Sequence, residues 1–118
     1  MLYIEDHAIT RRLVEKMVRK LRPQIELHVA TNARDGVQAA IDERPALILL
    51  DNRLPDATGG EVLRRLASSE ATAAIPVIVI SGASAKTGEE LLATGASEFL
   101  PKPFDIDQLM TMIDRYIR

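Results

Sequence analysis

The chain contains no cysteine, which excludes disulfides, thiolate zinc centres and thiol catalysis. Neither sign of charge is in large excess: 15 Lys and Arg stand against 17 Asp and Glu, for a net charge of −2. A general nucleic-acid binder is normally distinctly basic, so that partner is not expected. No apolar run approaches the length that spans a bilayer, and nothing resembles a secretory signal. The expectation is a cytoplasmic protein without a membrane partner. The stretch Glu5-Asp6-His7 after the first apolar run has no glycine, where a flavin- or nucleotide-binding loop would need several.

What is present is ordinary for one globular unit. The chain has 118 residues, 47% of them apolar and 27% charged, so a single domain over 1–118 is expected. Short apolar runs alternate with helical periodicity. Ile9, Leu13, Val14, Met17, Val18 and Leu21 repeat at helical spacing before Pro23. A strand is expected over Ile25 to Ala30, then a helix marked by Val37, Ala40 and Ile41. Ala46 to Leu50 reads as a buried strand, and Val62, Leu63 and Leu66 as a helix after the turn-rich loop Asn52 to Gly60. The strand Val77 to Ile80 follows Pro76, then a weak helix around Glu89 to Thr94 capped by Gly95. Ser97 to Leu100 is the last strand. Asp105 is the expected N-cap of a final helix with Ile106, Leu109, Met110, Ile113 and Ile117 inward. Strands alternating with helices predict an α/β fold, an open parallel sheet covered on both faces.

The strand ends hold the chemistry. Asp51 closes the run Ala46-Leu47-Ile48-Leu49-Leu50, and open parallel sheets place ligands at such carboxyl ends. Leu2-Tyr3-Ile4 runs into Glu5-Asp6, and Val77 to Ile80 into Ser81. If these strands are neighbours, three acids and a hydroxyl share one rim. Close carboxylates repel and need a cation, and Mg²⁺ suits one or two carboxylates with waters and phosphate oxygens. Lys102, between Pro101 and Pro103, offers an ammonium at the same rim, and Pro103 permits a cis peptide there. Each of these side chains taken alone also reads as a solvated loop residue.

The ordered set resembles the receiver domains of two-component response regulators. The matching pieces are Glu5-Asp6, Asp51 in Leu-Leu-Asp-Asn-Arg-Leu-Pro, Ser81 in Val-Ile-Ser-Gly-Ala, and Lys102 in Lys-Pro-Phe, and together they span the chain. The resemblance implies a flavodoxin-like (βα)₅ fold with sheet order 2-1-3-4-5. It implies Asp51 as phosphoacceptor, with a histidine kinase or histidine phosphotransfer protein as donor. Mg²⁺ would be held by Asp6, Asp51 and the Arg53 backbone carbonyl, with Glu5 acting through a metal-bound water. Ser81 and Lys102 would hold phosphoryl oxygens, while Ser81 and Phe99 would form the switch. Phe99 alone also reads as a core residue. The chain would phosphorylate and dephosphorylate itself without being an enzyme toward another substrate.

Two positions depart from what speeds loss of the phosphoryl group. Arg53 and Ala83 stand where the family flanks the attacking water, and neither orients water well, so an unaccelerated rate is expected. Arg53 also removes the second acid that a haloacid-dehalogenase phosphatase needs two residues after its nucleophile. A pseudo-receiver that works by binding alone is the stronger rival, although no acid, hydroxyl or lysine of the set is missing. Arg11, Arg12, Lys16, Arg19, Lys20 and Arg22 make the first helix basic, a solvated face with a Glu15–Arg19 pair or a dock for an acidic partner. His7 is expected to cap or flank that helix and His28 to be half-exposed. With no output module in the sequence, the expected output is protein contact, including a phosphorylation-dependent dimer, or a further domain.

Overall fold

The computed structural model describes residues 1–82 and 84–117, Ala85 by its backbone alone. Its strands are β1 Leu2–Ile4, β2 His28–Ala30, β3 Ile48–Asp51, β4 Val77–Ser81 and β5 Glu98–Pro101. Its helices are α1 Ala8–Leu21, α2 Ala33–Glu43, α3 Gly59–Ala67, α4 Ala85–Thr94 and α5 Ile106–Tyr116. The strands form one parallel sheet in the order β2-β1-β3-β4-β5. This is the flavodoxin-like arrangement expected.

Strand alternation divides the core in two. Leu2, Ile4, Ile48, Leu50, Val77 and Val79 pack toward α2, α3 and α4. Tyr3, Leu49, Ile78, Ile80 and Leu100 pack toward α1 and α5. Leu47 to Leu50 are fully buried, and each such side chain contributes about 1.5–3 kcal/mol. Because both faces of β3 are covered, its sequence has no polar alternation, which is why the run reads as a buried strand.

Local signals set the helix ends. Asn32, Thr58, Ser84 and Asp105 each accept a hydrogen bond from a backbone N–H in the first turn of α2, α3, α4 and α5. Asp105 and Gln108 complete a reciprocal capping box. Gly95, at φ 126°, ends α4 in a conformation that few other residues adopt.

Three expectations are corrected. The strand expected from Ile25 begins at His28, because the Ile25 N–H bonds the Arg22 carbonyl and closes a turn after α1. The helix expected around Glu89 starts earlier, at Ala85, where Ser84 supplies the cap. Not all of the apolar row of α1 enters the core: Val14 and Val18 are buried, but Ile9 and Leu13 are 75% and 61% exposed. Leu13 is one residue, about 100° of helix, away from Val14, so the two rows face different surroundings.

Candidate functional site at the carboxyl rim of the sheet

The sheet order sets β1 beside β3, so the residues that leave those strands meet. One carboxylate oxygen from each of Glu5, Asp6 and Asp51 lies within 4.8 Å of the others. Glu5 is buried, Asp6 is exposed, and Asp51 is largely buried. Glu5 Oε2 is enclosed without a hydrogen-bond partner among the described residues. Burial, reinforced by the neighbouring Asp51 carboxyl, holds the Glu5 carboxyl well above its ordinary range. Burial likewise pushes the Tyr3 phenol upward.

Lys102 enters the rim from the end of β5. Its Nζ lies 3.5 Å from Asp51 Oδ1, and the Lys102–Pro103 bond is cis. The Lys102 N–H also bonds the Ser81 carbonyl, tying the ends of β4 and β5 together. Asp51, Arg53, Ser81, Gly82 and Lys102 line a cavity of about 330 Å³. The expected residues therefore converge. Arg53 is exposed and shares an antiparallel bridge with Thr58. Ala83 lies outside the described residues, so the paired reading with Arg53 rests here on Arg53 alone.

Phe99 is half-buried on β5, with its ring against α4 at Gly88. A Cβ on Gly88 would stand 2.5 Å from Phe99 Cδ2, so the ring occupies space that a larger residue would fill. Phe99 is thus wedged against a helix rather than enclosed in the core.

Three contacts were not visible in the sequence. The Arg11 guanidinium donates to the carbonyls of Glu5, at 3.4 Å, and Asp6, at 3.2 Å, bracing the acid-bearing turn. Asn52 Nδ2 donates to Ser81 Oγ at 3.3 Å. Asp56 accepts from the Ala33 and Arg34 N–H groups, pinning the loop after β3 to the start of α2. Only Asp56 had a local signal, as an acid in a turn-rich loop. The other two contacts depend on where the chain folds back.

The histidines take bland roles. His7 caps α1, accepting from the Thr10 N–H, and half-exposed His28 bridges Glu26 and Glu43. The anticipated Glu15–Arg19 pair does not form among the described residues, and Arg22 instead pairs with Asp114 of α5. Beside the rim, Leu13, Met17, Lys102, Pro103, Phe104 and Ile106 border a second, apolar groove of about 600 Å³. No helix among the described residues is long and apolar enough to cross a membrane.

Residues 1–114 match the family model for the response regulator receiver domain. Over 98% of its length the chain is 34% identical to hybrid signal transduction histidine kinase G of Dictyostelium discoideum, covering 3% of that protein. It is 33% identical to the regulatory protein LuxO of Vibrio cholerae, over 98% of this chain and 25% of that one. The chain thus spans a quarter or less of these relatives. Among solved structures, it superposes on the receiver domain of a sensor histidine kinase from Pseudomonas aeruginosa with a TM-score of 0.88. That pair is 26% identical, covering 98% of this chain and 94% of the other, whose active-site cleft holds a magnesium ion.

Proposed function

Because this chain belongs to the response regulator receiver domain family, we propose that it takes a phosphoryl group on Asp51 from a histidine kinase or phosphotransfer protein. The observation that carries this reading is the convergence of three carboxylates and the Lys102 ammonium on one rim. Such a set, with Glu5 and Asp51 buried, is costly to assemble unless a cation and an anionic group are to be bound.

The donor set suits Mg²⁺. Glu5, Asp6 and Asp51 offer hard oxygen ligands, and the buried Glu5 Oε2 has no hydrogen-bond partner among the described residues. Asp6 and Asp51 would hold the ion with the Arg53 carbonyl, and Glu5 would reach it through water. When bound, Mg²⁺ neutralises negative charge on the transferring group. An Asp51 Oδ attacks phosphorus in line, and the bond from phosphorus to the donor nitrogen breaks, leaving its electron pair on that nitrogen. Lys102 and Ser81 donate to the equatorial phosphoryl oxygens. Water later cleaves the acyl phosphate, so the chain modifies and restores itself and is not an enzyme acting on another substrate.

Donor docking fits the apolar groove, since exposed Leu13 lines it, exposed Ile9 lies one turn earlier on the same helix, and Lys102 belongs to both sites. Arg12, Lys16, Arg19 and Lys20 of α1 border a separate groove and would favour an acidic donor surface. Movement of Ser81 toward the phosphoryl group, with inward rotation of Phe99, would alter the α4, β5 and α5 face that meets a target or a second copy.

The test is intact mass after incubation with acetyl phosphate and Mg²⁺. A phosphoryl adduct in the wild type and none in Asp51→Asn is expected. A folded wild type that forms no adduct would leave the pseudo-receiver, acting by binding alone, in its place.

A further inference from the structure

The loop between β3 and α3 belongs to neither element, so a few contacts set its shape. Arg53 and Thr58 face each other across an antiparallel bridge. Two flanking bonds close it: the Leu54 N–H to the Ala57 carbonyl at 3.1 Å, and the Gly59 N–H to the Asn52 carbonyl at 2.9 Å. Arg53 and Thr58 are therefore a non-hydrogen-bonded pair, and the N–H and carbonyl of Arg53 turn away from Thr58. Arg53 also borders the cavity shared with Asp51 and Lys102. The bridge leaves its carbonyl unspent at that cavity.

The tip of the loop is held from outside. Leu54 and Ala57 pack on the core. The exposed Asp56 carboxylate accepts from the Ala33 N–H at 2.8 Å and the Arg34 N–H at 3.0 Å. These are the first two N–H groups of α2, which have no partner within their own helix. Asn32, the cap that precedes α2, serves the Asp35 N–H instead. Ala33 is fully buried, so its N–H has no water to turn to if Asp56 leaves. Asp56 thus completes the cap of one helix from the loop that leads to another.

We propose that Asp56 is a positioning residue for the metal: by clamping the loop tip to the start of α2, it keeps the Arg53 carbonyl at the rim as a ligand for Mg²⁺. The inference rests on the reading of that carbonyl as a ligand given above. Side-chain rotation cannot swing a backbone carbonyl into place, so its aim depends on the loop that carries it. Mg²⁺ demands near-octahedral geometry, so a loosened loop loses affinity rather than adapting. Groups that orient the ligands of a metal in this way contribute to its affinity without touching it. Asp56 acts on the ion only through the loop.

The test titrates Mg²⁺ into wild type, Asp56→Ala and Asp56→Asn, each confirmed folded by urea denaturation, and reads backbone amide and carbonyl NMR shifts. In the wild type the ion should move the Arg53 carbonyl resonance. Asp56→Ala should bind Mg²⁺ about three- to tenfold more weakly, the scale of a lost hydrogen bond. Asp56→Asn removes the same charge but keeps an acceptor, so its affinity should lie between the other two. Coupling is reciprocal, so Mg²⁺ should in turn slow hydrogen exchange at the Ala33 and Arg34 N–H groups of the wild type. That measurement decides the matter if Asp56→Ala does not fold. Unchanged affinity in Asp56→Ala, equal loss in both variants, or exchange indifferent to Mg²⁺ would overturn the proposal. A wild type that leaves the Arg53 carbonyl resonance unmoved would overturn the ligand reading itself, an outcome distinct from all of these.

Discussion

Lys102 Nζ and Asp51 Oδ1 lie 3.5 Å apart although their strands, β5 and β3, are separated in the sheet by β4. The ammonium spans the end of an intervening strand to offset a carboxylate already crowded by Glu5 and Asp6. In the proposed reaction the same ammonium turns to the incoming phosphoryl group. Lys102→Ala should therefore slow adduct formation with acetyl phosphate by about a hundredfold, the usual loss for one group that stabilises transition-state charge. A rate equal to that of wild type would restrict Lys102 to neutralising the resting carboxylates.

Ile9 and Leu13 contribute little to the core, being 75% and 61% exposed. Replacing both with serine should leave the urea midpoint almost unchanged. Transfer from a phosphohistidine-bearing protein should fall about tenfold or more, as for an apolar anchor lost from an interface. Transfer from acetyl phosphate, which needs no docking face, should be unaffected. Equal loss with both donors would place these residues in the chemistry rather than in docking.

Gly88→Ala should destabilise the protein, although alanine is the better helix former, because its Cβ would meet the Phe99 ring at 2.5 Å. Overpacking of this kind costs about 1–3 kcal/mol in urea denaturation. The sign should reverse beside Phe99→Ala, where the ring is gone and only the helix preference remains. If the penalty persists without the ring, Phe99 is not what limits residue 88.

Asp56 makes stability depend on pH in a predictable direction. Its carboxylate accepts from the Ala33 and Arg34 N–H groups, which lowers its pKa below 3.8 in the folded state. The unfolded chain thus binds this proton more tightly, and stability rises with pH where the two states differ. The contribution is complete above the unfolded value and is lost as pH falls through the folded one. Denaturation midpoints of wild type and Asp56→Ala, followed downward from pH 5, should differ most at the top of that range and converge in acid. Parallel curves would show that the loop is held without this charge.

Much of this was legible because it is local. A continuous apolar run with Asp51 at its end requires only a strand buried on both faces. The cap at Asp105 acts within a single turn of helix. Even the rim was readable, since the resemblance supplied an order for the strands. The errors lay at edges. The strand expected from Ile25 lost three residues to a turn hydrogen bond, and the start of α4 was hidden in a stretch of small residues without apolar periodicity.

By itself, the sequence determined the alternation of strands and helices, the residue types at the strand ends and the absence of thiol chemistry. These follow from side-chain pattern and from capping, interactions that reach only a few residues along the chain. The tertiary structure decided that β1 neighbours β3, which brings carboxylates more than forty positions apart within 4.8 Å. It decided that Ile9 and Leu13 stay outside while Val14 and Val18 go in, and that Asn52 meets Ser81 rather than solvent. Those outcomes depend on which surfaces pack together, and no periodicity along the chain encodes that contact.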